Sequence, residues 1–239
     1  MSPSSHIGRF LHALATLALL AGCDEGGDAP DGSTPDAAPS GCAEPPASFA
    51  SGDASGHPAP LAAPAGEARA GRLGAAELPE DPTGLATFEA GDYVLANDRY
   101  ALLVEAPGDS DLYDPHGGRP VGVAAVRDGA LVEAGDFNEI LFGFGGLLVR
   151  TESVTVLADG ADGGPAVLRA AGPLGPLEFA GDLLSGLLIG GDHSGLPAVM
   201  DYELAPDSNE VDVYLEIAQP APRGVRVPFL LTAFFQRYR

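Results

Sequence analysis

Between Asn209 and Ala218 an apolar side chain occupies every second position. Val211, Val213, Leu215 and Ile217 alternate with Asp212, Tyr214 and Glu216. A period of two puts one face of a strand on a core and the other toward solvent. The stretch from Ala198 to Leu204 repeats the pattern, with Ala198, Met200, Tyr202 and Leu204 on one face. Tyr93–Ala96 and Tyr100–Ala106 are short apolar runs separated by Asn97-Asp98, and Val121–Val126 and Ala130–Glu133 flank Asp128-Gly129. Both dipeptides are turn formers, and the second is a strong hairpin signal. Further strands are predicted at Leu147–Leu157, Val167–Ala170 and Leu187–Ile189. The run Val225–Phe235 is apolar on both faces, which predicts a central or covered strand.

No stretch keeps an amphipathic period of 3.6 residues for three turns, and Gly- or Pro-rich turn signals recur at short intervals. That combination predicts an all-β fold over residues 83–239, an antiparallel β-sandwich or a barrel-like arrangement, of which the sandwich is the expected form.

The pattern fails over residues 24–82. Asp, Gly, Pro, Ala and Ser dominate there, and Phe49, Leu61, Leu73 and Leu78 are the only large apolar residues. A segment so poor in apolar surface offsets little ordering entropy, so 23–82 reads as a disordered, acidic, Pro/Gly/Ala-rich tether with His57 exposed.

The start of the chain has a different pattern. Arg9 precedes an apolar segment from Phe10 to Leu20, followed by Ala21-Gly22-Cys23. The segment has signal-peptide length and is too short for a spanning helix, which needs about 20 apolar residues. Leu20-Ala21-Gly22-Cys23 resembles the lipobox of bacterial lipoprotein precursors at all four positions. The resemblance implies a signal peptide over residues 1–22, diacylglyceryl and fatty acyl (palmitate-type) modification of Cys23, and a location in the cell envelope. The chain would be lipid-anchored to a bacterial membrane, at the outer membrane or the periplasmic face. Two or more acyl chains give stable anchoring where one does not. An ordinary secreted protein with Cys23 paired to Cys42 is the competing reading.

Composition narrows the partners. The chain holds 34 acids against 12 basic residues, a net charge of −22, and every basic residue is arginine. Such a field disfavours nucleic acid and anionic lipid headgroups. Both cysteines precede the predicted domain, so a disulfide framework or a cysteine zinc site is not expected, and no lysine is present to complete a Walker motif.

One loop concentrates candidate chemistry: Asp109, Asp111, Asp114 and His116 within Gly108–Gly118. Its acids miss the spacing of a calcium loop and the closing glutamate is missing, so a solvated acidic loop is the preferred reading and a ligand-binding loop without a metal the candidate one. His193 lies in a polar glycine loop whose Ser194 is displaced from the nucleophile-elbow position. Asp201, Glu203 and Glu216 fall where alternation predicts solvent, and Tyr93, Tyr100, Tyr113, Tyr202 and Tyr214 are the available stacking rings in a chain without tryptophan. No catalytic residue, metal or cofactor is assigned.

Gly91-Asp92-Tyr93-Val94-Leu95-Ala96-Asn97-Asp98-Arg99-Tyr100-Ala101-Leu102-Leu103-Val104 and Tyr202-Glu203-Leu204-Ala205-Pro206-Asp207-Ser208-Asn209 resemble two segments of the N-terminal β domain of large lipoproteins from gram-negative soil bacteria. The resemblance implies a mutarotase-like supersandwich over about residues 84–218. The functional expectation is a membrane-anchored lipoprotein presenting a non-catalytic β-sandwich that binds a glycan or protein ligand. Its alternatives are an extracellular carbohydrate-active enzyme, or the N-terminal domain of a larger envelope protein whose activity lay downstream.

Overall fold

A computed structural model describes residues 49–79, 88–108, 110–134, 137–144, 146–177, 193–218 and 230–236. The expected signal peptide, Cys23, Cys42 and Asp109 lie outside the described residues, as does the expected strand at 187–189. The fold is all-β, with no α-helix among the described residues. Every strand pairing is antiparallel.

Two sheets form. The first runs in sequence order through β1 (Arg69–Arg72), β2 (Tyr93–Ala96), β3 (Tyr100–Val104), β4 (Pro120–Arg127) and β5 (Ala130–Ala134). Short connections make this meander: Asn97 Oδ1 accepts the Arg99 and Tyr100 amides at the β2–β3 turn, and Asp128 and Gly129 take positive φ at the β4–β5 turn. The second sheet contains β6 (Phe137–Phe144), β7 (Leu147–Val149), β8 (Ser153–Asp159), β9 (Ala166–Pro176), β10 (Pro197–Leu204), β11 (Asp212–Ile217) and β12 (Leu230–Gln236). Its order is β11-β10-β9-β7-β6-β12, and β8 also pairs with β9. β9 accepts both β7 and β8 because it is long enough to serve them in succession, Leu174–Pro176 for β7 and Ala166–Ala171 for β8.

Alternation sorts the side chains. Tyr93, Leu95, Leu102 and Val104 join Val154, Val156, Leu168, Leu174, Met200 and Tyr202 in one core shared by the two sheets. The intervening residues Val94, Ala96, Ala101 and Leu103 point to the opposite face, into a second core with Val121, Val126 and Leu131. The middle of the five-stranded sheet, β2 and β3, is therefore buried on both sides. That is why β2 and β3 read as continuous apolar runs.

The cover of this second core is the segment read from sequence as tether. Leu61 and Leu73 are fully buried there beside Phe88. The tether boundary at residue 82 is thus corrected: the chain is packed from Phe49, and residues 49–79 include β1. Asp53 exchanges both backbone hydrogen bonds with Val156 of β8, while Arg72 donates to Ser55 and His57 to Ala70. Residues 50–57 thus lace β8 to β1. His57 is half-buried rather than exposed, and its Nδ1 accepts the Ala59 amide at 3.0 Å. The alanines and glycines that read as disorder permit this close stacking. Ala68 and Ala70 have no exposed surface, and a Cβ on Gly71 would strike the His57 carbonyl oxygen.

Three other expectations change. The run Leu147–Leu157 splits into β7 and β8, because Arg150 and Glu152 turn their amides to β9 carbonyls at Pro173 and Ala171. β6 was not expected from the sequence pattern. β12, expected to be central or covered, is not central: it pairs only with β6, at the end of the sheet order among the described residues.

Candidate functional site

The loop that carries the candidate residues joins β3 to β4. Its base continues the β ladder, with Glu105 and Arg119 bonded through Glu105 N to Arg119 O (3.0 Å), and Gly118 N to Glu105 O (2.9 Å). Ser110 N donates to Pro115 O, Ser110 Oγ accepts the Leu112 amide, and Asp114 Oδ1 accepts the His116 amide at 2.9 Å. Asp92, itself buried, accepts the Ala106 amide at the loop's foot and the Glu89 amide, each at 2.8 Å. Burial raises the Asp92 pKa, against the pull of those two bonds.

Arg119 organises the interior of this loop. It is 3 % exposed. Its Nε donates to Glu139 Oε2 at 3.0 Å, its Nη2 to Ser110 Oγ at 3.0 Å, and its Nη1 lies 2.9 Å from Glu105 Oε2. The last contact is an ion pair whose angle falls short of a hydrogen bond. Glu139 comes from β6 in the other sheet, so the cluster sits where the two sheets meet. Tyr202 of β10 closes it from beneath, donating its hydroxyl to Gly118 O at 2.9 Å.

The electrostatics are lopsided, because one guanidinium faces Glu105 and Glu139 with the Asp114 carboxylate close behind. Burial raises the pKa of both glutamates first, and the Asp114 charge adds to it, while Arg119 opposes. Burial also pushes the Tyr202 phenol far above its ordinary range, with Asp114 contributing. Glu139 has no exposed surface and both its oxygens are engaged, Oε1 with the Tyr113 amide at 3.1 Å. Its position lets it hold the loop; it has no open side toward a substrate.

The candidate residues therefore divide. Asp114 and His116 join the turn packed over Arg119, whereas Asp111 is exposed and apart from it. The Tyr113 ring, 48 % exposed, stands on the backbone that Glu139 fixes. Sequence reasoning missed Arg119, Glu105 and Glu139. Glu139 lies in the unrecognised β6, and Glu105 and Arg119 flank the loop as ordinary polar residues.

Elsewhere the sequence assignments shift as well. Asp201, expected in solvent, is buried and forms a two-bond ion pair with Arg169, Oδ1 to Nε at 2.7 Å and Oδ2 to Nη2 at 2.6 Å. Arg169 also donates to Ala50 O at 3.0 Å and lies over the Phe49 ring. Tyr93 and Tyr202 are core residues, not stacking platforms. Ser194 is exposed in a turn closed by Leu196 N to His193 O. An open cavity of about 350 Å³ lies beside Asp53, Val156, Leu157, Asp159 and Asp162. Each of its acids shapes its own turn: Asp53 accepts the Ser55 and Gly56 amides, Asp159 that of Ala161, and Asp162 that of Gly164. The two amides hold the Asp53 carboxyl below its ordinary pKa. Among the described residues no group of three His, Cys, Asp or Glu side chains has the arrangement of a metal site.

No protein-family model matches this chain, and neither a curated protein nor a solved structure matches it.

Proposed function

We propose that this chain is a cell-envelope lipoprotein that displays a β domain as a non-catalytic binding module. The observation that carries the anchor is Leu20-Ala21-Gly22-Cys23 behind an apolar segment of signal-peptide length. The acidic, Pro/Gly/Ala-rich composition of residues 24–48 supports a spacer role between Cys23 and the packed chain. The two-sheet all-β frame is compatible with the β-sandwich of the lipoproteins this sequence resembles.

The binding assignment is supported by how the loop over Arg119 is built. Burying Arg119 and Glu139, with Glu105 half-buried beside them, is costly, and an apolar cluster of like volume would often serve stability better. What the charged cluster provides is one fixed loop conformation, with the Asp111 and Tyr113 side chains presented outward. A preordered loop loses little entropy when it binds.

Fractionation tests the anchor. The wild-type chain expressed in a gram-negative host should sediment with membranes, and Cys23→Ser should appear in the soluble envelope fraction. Identical membrane partition of the two would overturn the lipoprotein assignment.

A further inference from the structure

β11 ends the seven-stranded sheet. It pairs with β10 from Ala198↔Ile217 to Glu203↔Asp212, and among the described residues no strand pairs with its other edge. The inward residues Val211, Val213, Leu215 and Ile217 pack against the shared core yet stay half-buried, while Ala198, Met200, Tyr202 and Leu204 beside them on β10 are buried. Among the described residues the last column of the core is therefore covered on one side only. A strand added at this edge would cover the other.

The outward residues of β11 are Asp212, Tyr214 and Glu216. Glu203 stands directly opposite Asp212 in the ladder, a like-charge pairing that is unfavourable by itself. In the neighbouring pair Asp201↔Tyr214, the aspartate is neutralised by Arg169. Among the described residues no arginine ion-pairs with Glu203, Asp212 or Glu216, though the Arg169 charge, held by Asp201, is also felt at Glu216. Burial, then the charges of Asp212 and Glu203, raise the Tyr214 pKa, so the ring stands in a negative field. A second copy of this strand would set acid against acid, so the charge argues against self-pairing.

We infer that the free edge of β11 takes up an extended segment of a protein partner in which Lys or Arg alternates with aliphatic residues. Its basic side chains would face Asp212, Glu216 and Glu203, with Tyr214 available for cation–π contact, and its aliphatic side chains would extend the row Val213, Leu215, Ile217. Main-chain hydrogen bonds supply attachment in this mode, and alternate side chains supply selectivity. The inference rests on the binding-module reading of the domain and is independent of the lipid anchor.

The test uses the full chain in detergent micelles and fluorescein-labelled Ser-(Arg-Val)₃-Ser, followed by anisotropy and by hydrogen exchange of the β11 amides. Binding should slow exchange along Asp212–Ile217 and weaken as salt is raised. Two controls separate strand addition from bulk charge. The same peptide N-methylated at alternate residues, with its edge-facing amides blocked, should bind at least about tenfold more weakly. D212R/E216R should lose the Arg-Val peptide by a similar factor and gain the Glu-Val analogue; both sites are exposed, and a thermal melt checks the fold. Equal binding of the methylated peptide, unchanged binding by D212R/E216R, absence of binding at about 1 mM peptide, or a dimer joined through β11 would each overturn the inference. Peptide binding by a chain that does not partition to membranes would uphold the edge and remove the anchor; the reverse result would do the opposite.

Discussion

Removing the Arg119 guanidinium is the most informative single perturbation. Arg119→Met keeps most of the buried aliphatic stem and leaves Glu139 with no exposed surface and no cation. Such a carboxylate escapes its cost by taking a proton. At pH 7, neutralising a glutamate of ordinary pKa near 4.5 costs about 3.4 kcal/mol, so that figure caps the Glu139 contribution. Glu105 retains some solvent contact and can turn toward water, so it adds little. The lost bond to Ser110 Oγ adds about 1 kcal/mol. Arg119→Met should therefore lower stability by about 3.5–4.5 kcal/mol at pH 7, in line with other broken buried pairs. At pH 5 the protonation cost shrinks to about 0.7 kcal/mol, and the total to about 1–2 kcal/mol. The pH dependence is the signature, since an ordinary packing defect would cost the same at both values. Urea unfolding at pH 7 and pH 5 with a constant slope measures it. Arg119→Met/Glu139→Gln, which keeps an acceptor for the Tyr113 amide but has no buried charge there, should recover much of the pH 7 loss. Equal destabilisation at the two pH values, or less than about 1 kcal/mol at pH 7, would refute the assignment of Arg119 as the counter-charge of a buried acid.

Other predictions follow from the same contacts. Asp92, Glu105 and Glu139 have raised pKa values in the folded protein, so each adds stability that is fully present below its unfolded value and lost as pH rises through its folded value. Wild-type stability should increase as pH falls from 7 toward about 4.5, and a monotonic fall in urea midpoint over that window would contradict this. Arg169→Lys loses the two-bond grip on Asp201 and the Ala50 contact, which should cost about 1–3 kcal/mol and expose Phe49–Ser55 to proteases, read by mass spectrometry of the fragments. Limited proteolysis of the wild type should leave a core beginning near Phe49, and a core beginning near Thr83 would contradict the lacing of β8 to β1. Gly160→Ala drives a Cβ into the Ala68 carbonyl oxygen at a residue with φ of 77°, so it should destabilise by at least about 2 kcal/mol in thermal melts.

The sequence by itself determined the class of fold. Alternation in β10 and β11, the hairpin at Asp128-Gly129 and the absence of a helical period all follow from local spacing, and local spacing is visible in one dimension. The resemblance to a lipobox, which supports the proposed anchor, is equally local, since four adjacent residues and a short apolar run carry it. Composition misled at residues 49–79. An average over Ala, Gly and Pro cannot show that Leu61 and Leu73 each find a fully buried place, or that Ala68 and Ala70 are small because two sheets close over them.

Tertiary structure alone decided the charged interior. Arg119, Glu105 and Glu139 come from the ends of a loop and from a strand in the other sheet, at separations no periodicity records. The same holds for Arg169 and Asp201, which share a register position on paired strands and so turn a predicted solvent-facing acid into a buried one. A carboxylate's surroundings depend on what folds over it, and strand alternation specifies only which face it leaves from.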